Sequence, residues 1–192
     1  MTPNTFYISD THFGHNNVYK FTSSKTGLRI RQWAKDAAEG DEILVQNWNS
    51  VVKPNDLVYH GGDVSVSKRN VHIVSRLNGR KILIRGNHDR AKTSEYLKYF
   101  EEVEGSLMKP KDGIIMTHVP IHETSLMGKY KYNIHGHTHD RCIVIQKSSG
   151  EIVFNKKYFN ISVESEQRPI INVEYGVPIP HEVLMGYLTG SV

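Results

Sequence analysis

Five times along this chain a short apolar run of β-forming residues ends in a block of Asp, Asn or His, and that repetition limits the fold more than any other feature. Phe6-Tyr7-Ile8 runs into Ser9-Asp10-Thr11-His12, the run 56–60 into Gly61-Gly62-Asp63, and 81–85 into Gly86-Asn87-His88-Asp89. The run 113–117 leads to His118, and 132–135 to Gly136-His137-Thr138-His139. Each run has strand length and strand composition, so each block is expected at the carboxyl end of a strand. In α/β sheets such loops converge on one crevice. Seven potential metal ligands are thereby expected in one place: Asp10, His12, Asp63, Asn87, His118, His137 and His139.

Between the strands, apolar spacing predicts helices over 30–48, with Gly40-Asp41 as a candidate break, over 66–77, and over 93–100 with Thr93-Ser94 as caps. After residue 140 the pattern changes to strand pairs over 141–146, 151–154, 158–163 and 170–173, expected to be antiparallel, and Pro180 is expected to begin a terminal helical turn. Strands alternating with helices predict an α/β fold. A length of 192 residues, 38% of them hydrophobic, predicts one domain over 1–192. Trp33 and Trp48 lie on the helical period and are read as packing residues.

No stretch approaches the roughly 18 apolar residues of a membrane span, and the N-terminus lacks a basic segment followed by an apolar one, which predicts a cytoplasmic protein without a membrane partner. Cys142 is the only cysteine, which excludes an intrachain disulfide and a thiolate zinc site, so a metal would be held by nitrogen and oxygen. A net charge of +4 favours an anionic substrate but is too small to identify a nucleic-acid binder. Lys68, Arg69, Arg76, Arg80, Lys81, Arg85 and Arg90 give the middle of the chain a basic bias, for which a solvated helix face and loop ends are at least as good a reading. Arg90 has the chemistry to clamp a phosphate, although an ion pair with Asp89 or another neighbour is the ordinary expectation.

In their order, Asp-x-His, Gly-Asp, Gly-Asn-His-Asp, His and Gly-His-x-His resemble the calcineurin-like metallophosphoesterase superfamily, over roughly residues 6–140. The resemblance implies a four-layer αββα fold, a two-sheet β-sandwich flanked by helices. It also implies two divalent metal ions, with Asp10, His12 and His139 on one, Asn87, His118 and His137 on the other, and Asp63 bridging. Manganese, zinc or iron suits such donors. His88 is left unligated as acid or charge stabiliser while a metal-bridging hydroxide attacks phosphorus, and His15 is a candidate substrate contact, with packing on Tyr19 or Phe21 as its ordinary alternative.

The expected reaction is phosphodiester hydrolysis of a phosphorylated small molecule or nucleotide. Phosphomonoester or pyrophosphate hydrolysis on the same metals is the alternative, and an idle scaffold or binding module is the alternative of another class. A nuclease finds no support in any long basic or aromatic-rich segment. No feature of the sequence sets an oligomeric state. One departure from the family pattern concerns Val66, which stands where many relatives carry an Asp that orients the catalytic histidine. Asp89 is the candidate replacement, or else it fixes its own turn.

Overall fold

The computed structural model describes residues 3–109 and 111–191. Side chains alternate between the two faces of a strand, and in the first three strands this alternation sets the layers. Phe6 and Ile8 of β1 (Thr5–Ile8), Val58 of β2 (Leu57–His60) and Leu83 of β3 (Arg80–Ile84) enter a core with Leu44, Trp48, Val71 and Val74. Tyr7, Tyr59, Ile82 and Ile84 point the other way, into a second core with Ile114, Met116, Ile134, Phe159 and Ile161. The first core lies beneath α1 (Ala37–Val51), the 3-10 helix Lys68–Arg76 and the short α2 (Thr93–Tyr96); the second lies between two sheets.

Strands β1, β2, β3 and β4 (Glu102–Glu104) are parallel neighbours. In the second sheet, β5 (Ser106–Lys109) pairs antiparallel with β6 (Ile114–Thr117), which runs parallel to β7 (Tyr132–His135). A hairpin of β8 (Val144–Gln146) and β9 (Ile152–Phe154) precedes β10 (Tyr158–Asn160), which lies parallel to β7. The two-residue β11 (Ile179–Pro180) adds an antiparallel edge to β1, and α3 (His181–Thr189) places Leu184 and Leu188 in the core between the sheets. The result is an α/β two-sheet sandwich with flanking helices. Ser9 and Ser162 form a parallel bridge that joins the sheets where β1 and β10 end. No helix among the described residues is long and apolar enough to cross a membrane.

Several local expectations are corrected. The first helix begins at Ala37, capped by Asp36, whose side chain accepts the N–H of Glu39 at 3.0 Å. Segment 30–36 is not helical, because Arg31 is drawn inward to the carbonyls of Asp10 and Thr11. Gly40 and Asp41 lie inside α1 rather than dividing it, and Asp41 accepts the N–H of Gly14 at 2.9 Å. The helix over 93–100 is four residues long, starts from Lys92, and has no side-chain cap. Strand β10 pairs parallel, not antiparallel, and the strand expected over 170–173 is a 3-10 turn, Pro169–Ile171, followed by left-handed Asn172 at φ 53°.

Buried Arg168 explains that last difference. Its guanidinium donates to the carbonyls of Ser162 at 2.6 Å, Val177 at 2.7 Å, Glu174 at 3.0 Å and Ile161 at 3.3 Å, which binds the segment after β10 into a loop and removes its edges from strand pairing. A buried carbonyl left without its donor costs about 1–3 kcal/mol. Arg168→Ala is therefore expected to lower the unfolding free energy by about 3 kcal/mol or more in urea titration, and a loss below about 1 kcal/mol would contradict this reading.

Candidate metal centre

Six parallel strands, β1, β2, β3, β6, β7 and β10, deliver their following residues to one end of the sandwich. The backbone there is unusual. Asp10, His12, Asp63, His137 and His139 have φ of 58°, 50°, 57°, 68° and 55°, and these are five of the six non-glycine residues with positive φ among those described. A left-handed conformation costs a side-chain-bearing residue about 1–2 kcal/mol. Such strain gathers where surrounding structure fixes a functional geometry. Two glycines permit the close approach: a Cβ on Gly86 would overlap Oδ1 of Asp63, and one on Gly136 would overlap Oδ2 of Asp10.

All seven expected ligands meet there. The donor atoms of Asp10, His12 and His139 lie within 4.8 Å of one another, as do those of Asp10, Asp63 and His118. Oδ1 of Asn87 stands 2.9 Å from Nε2 of His118 and 2.9 Å from Nδ1 of His137. Between the groups, Oδ2 of Asp63 is 3.6 Å from Nε2 of His12 and 3.4 Å from Nε2 of His118. Asp10, His12, Asp63 and His118 are buried, whereas Asn87 and His137 are exposed, so the cluster opens to solvent on their side.

The donors fit divalent cations. Both ring nitrogens of His12 are buried without a hydrogen-bond partner, although Nε2 faces two carboxylates. Burial pulls its pKa down to about 3, so the ring is neutral and its lone pair is available. For His118, burial is again the largest influence and pulls downward, but the hydrogen bond and charge of Asp63 and the charge of Asp10 together push it up to about 9. His139 behaves likewise: the charge and hydrogen bond of Glu164 overcome burial and raise it to about 9. Burial works to raise Asp10, yet His139, His118 and His12 hold its carboxyl well below the usual range. Without metal, then, protons on His118 and His139 balance the buried carboxylates.

Glu164, Arg31 and Ser162 support the cluster and carried no clear signal in sequence. Glu164 hydrogen-bonds Nδ1 of His139 and pairs with Arg31 at 3.0 Å, leaving Nε2 of His139 to face the cluster. Glu164 does follow a strand, as the five blocks do, which was the one available hint. Ser162 donates to Asp10 at 2.7 Å. Asp89 fixes its turn rather than the His88 ring: its carboxylate accepts the N–H groups of Asp63 at 2.8 Å, Gly86 at 2.9 Å and Val64 at 2.9 Å. It forms no pair with Arg90, which is exposed.

His88 lies beside the donors without joining either group. Its backbone N–H donates to Oδ1 of Asp63 at 2.8 Å, its ring centre is 5.5 Å from that of His12, and its Nδ1 is buried without a partner. Neither Val66 nor Asp89 orients the ring. His15 also reaches the cluster, with its ring centre 5.7 Å from that of His12 and its Nδ1 buried and unpartnered. His60, stacked on Trp48, accepts the N–H of Gly62 and is structural.

Comparison with known proteins agrees with this geometry. Residues 4–156 match the model of the calcineurin-like phosphoesterase superfamily domain. An uncharacterized protein of Methanocaldococcus jannaschii is 36% identical over 89 residues, 44% of this chain and 46% of that protein. The Gene 66 protein of Mycobacterium phage L5 is 37% identical over 91 residues, 45% of this chain and 40% of that protein. The matched segment thus spans less than half the length of either relative. A crystal structure of a protein of unknown function from Aquifex aeolicus shares the fold, with a TM-score of 0.58 at 24% identity, covering 94% of this chain and 97% of that one. The chain belongs to the calcineurin-like phosphoesterase superfamily, a family of metal-dependent phosphoesterases, and it carries residue groups suited to divalent metals.

Two outcomes follow for metal binding. If His118 and His139 are ligands, a metal ion has to displace the protons they hold, so affinity is expected to be greatest above about pH 9 and to fall as pH drops through that value. Calorimetric titration with Mn2+ at pH 7.5, in buffers of different ionisation enthalpy, should show net proton release; none would contradict the assignment. Glu164→Gln removes the negative charge beside His139 and is expected to weaken metal binding by about 10–100-fold. An unchanged affinity in the same titration would place Glu164 outside the centre.

Proposed function

From that membership and the geometry of the site, we propose that the chain is a dinuclear phosphodiesterase acting on a small, nucleotide-type substrate. The observation that carries the reading is the pair of donor groups sharing Asp10, with Oδ2 of Asp63 lying between His12 and His118. Asp10, His12 and His139 would hold one ion and Asn87, His118 and His137 the other, with Asp63 on both. The mixed imidazole, carboxylate and amide donors suit manganese, zinc or iron. When bound, such ions supply a water acidified to near neutral pH and positive charge for the phosphoryl oxygens.

The chain's own residues do the rest. His88 stands next to the donors with a ring free of other partners, which suits it to hold a proton for the leaving oxygen. His15, with its ring centre 5.7 Å from that of His12, would contact the phosphate. A diester suits the charge balance: among the described residues, Arg31 is the only lysine or arginine hydrogen-bonded to the seven ligands, and its guanidinium is committed to Glu164 and to backbone carbonyls. A monoester dianion would bring a further negative charge with no such cation to meet it.

With manganese supplied, bis-(4-nitrophenyl) phosphate is expected to be cleaved with a higher kcat/KM than 4-nitrophenyl phosphate. The reverse order would make the enzyme a monoesterase. Asp63→Asn should abolish both activities, and equal rates for wild type and this variant would remove the enzymatic reading. His88→Ala should lower kcat by about 10²–10⁴-fold with metal content retained, whereas an unchanged rate would exclude His88 from the chemistry.

A further inference from the structure

Beside the metal centre lies a groove of about 570 Å³ whose walls carry four cations, Lys68, Arg69, Arg90 and Lys92, together with Ala91 and Glu95. Arg90 and Ala91 continue the chain directly after His88-Asp89, and Lys68 and Arg69 follow the loop that leaves Asp63, so both walls grow from blocks of the centre. Among the described residues none of the four cations makes an ion pair. Their neighbours in sequence are paired: Arg76 with Glu42 at 2.6 Å and Arg80 with Glu101 at 2.9 Å. Arg85 is turned onto the carbonyls of Asp89 and Ala91. The groove's one carboxylate, Glu95, is held by Lys98 at 2.8 Å.

The charges of Lys68 and Lys92 bear on Glu95, but Arg69 and Arg90 have no such carboxylate among the described residues, and local helix preferences do not account for the arrangement. Lys68 and Arg69 open the 3-10 helix Lys68–Arg76, whose first turn has no acidic residue, and Lys92 occupies the position before α2 without capping it. Helix starts disfavour cations, and like charges around one groove repel. Departures of this kind from local preference mark functional surfaces.

We infer that this groove binds a second phosphate group of the substrate, beyond the one at the metal centre, so that the preferred substrate is a phosphodiester with more than one phosphate. The inference rests on the phosphodiesterase reading for the position of the first phosphate. An oligonucleotide strand and a nucleotide polyphosphate share the required chemistry. The groove's charge supplies affinity without base recognition, since phosphate contacts position a nucleic acid and carry no sequence information.

The test is a binding measurement that needs no turnover. Fluorescein-labelled oligothymidylate is titrated with the full chain by anisotropy at several salt concentrations, and diadenosine tetraphosphate is titrated separately by calorimetry. In wild type, one or both should bind. In R69A/R90A, affinity for whichever binds should fall at least about tenfold, and the salt dependence of strand binding should flatten by about 1.4, roughly 0.7 for each cation removed from a single strand. R76A/R80A, which removes two paired arginines from the same stretch, should bind as wild type does. Loss for the strand alone identifies a nucleic-acid strand as the source of the second phosphate, and loss for diadenosine tetraphosphate alone identifies a nucleotide polyphosphate. Binding of neither ligand, equal binding by R69A/R90A and wild type, or an equal loss in both double variants would overturn the inference. Cleavage of bis-(4-nitrophenyl) phosphate, which carries one phosphate, reports separately on the phosphodiesterase reading.

Discussion

The buried carboxylate of Asp10 is the joint on which the sandwich and the donor cluster both depend. It accepts hydrogen bonds from Ser9 at 2.6 Å, from Ser162 at 2.7 Å and from the backbone N–H of His137 at 3.1 Å. Those partners come from the ends of β1, β10 and β7, so one side chain ties the first sheet to the second at the point where their loops meet. A carboxylate removed from water costs several kcal/mol unless charge and hydrogen bonds replace its solvation. Here two serine hydroxyls, a backbone amide and nearby histidines replace it, and the same carboxylate takes part in both donor groups. Asp89 plays the corresponding part within the first sheet, binding the loop after β2 to the loop after β3 through three backbone amides.

Much of this was legible in the sequence because strand ends and ligand types are local signals. Tyr132–His135 was read with its true limits, and the five blocks fall after β1, β2, β3, β6 and β7 as the alternating runs implied. Tertiary contacts hid the rest. Ile30, Trp33 and Ala34 keep helical spacing, but Arg31 beside them is fully buried against Glu164 and the Asp10 backbone, and that long-range demand outweighs local propensity. The parallel pairing of β10 with β7 was obscured by the turn-rich texture of the segment before it, which does form a hairpin, β8 with β9. Glu164 could have been suspected from its place after a strand; Arg31, inside an apolar-patterned stretch, could not.

The electrostatics of the cluster describe a site prepared for cations. His118 and His139 have pKa values raised to about 9 by carboxylates, while His12, deeper and without hydrogen bonds, is neutral. Protons therefore occupy the positions where positive charge is needed, and divalent ions would take them over. Glu164, paired with Arg31 and bonded to His139, fixes one imidazole in the orientation that presents Nε2; the carbonyl of Gly61, 2.8 Å from Nδ1 of His118, does the same for another. Five strained backbone positions held by this network keep the donors close together before any ligand arrives.

The proposed two-ion centre bridged by Asp63 is tested most directly by the metal stoichiometry of the folded chain. Protein loaded with manganese and passed through gel filtration should carry two ions per chain by inductively coupled plasma mass spectrometry, falling to about one when His137 is replaced by alanine. A single ion in the wild-type chain, or a wild-type count unaffected by that replacement, would contradict it.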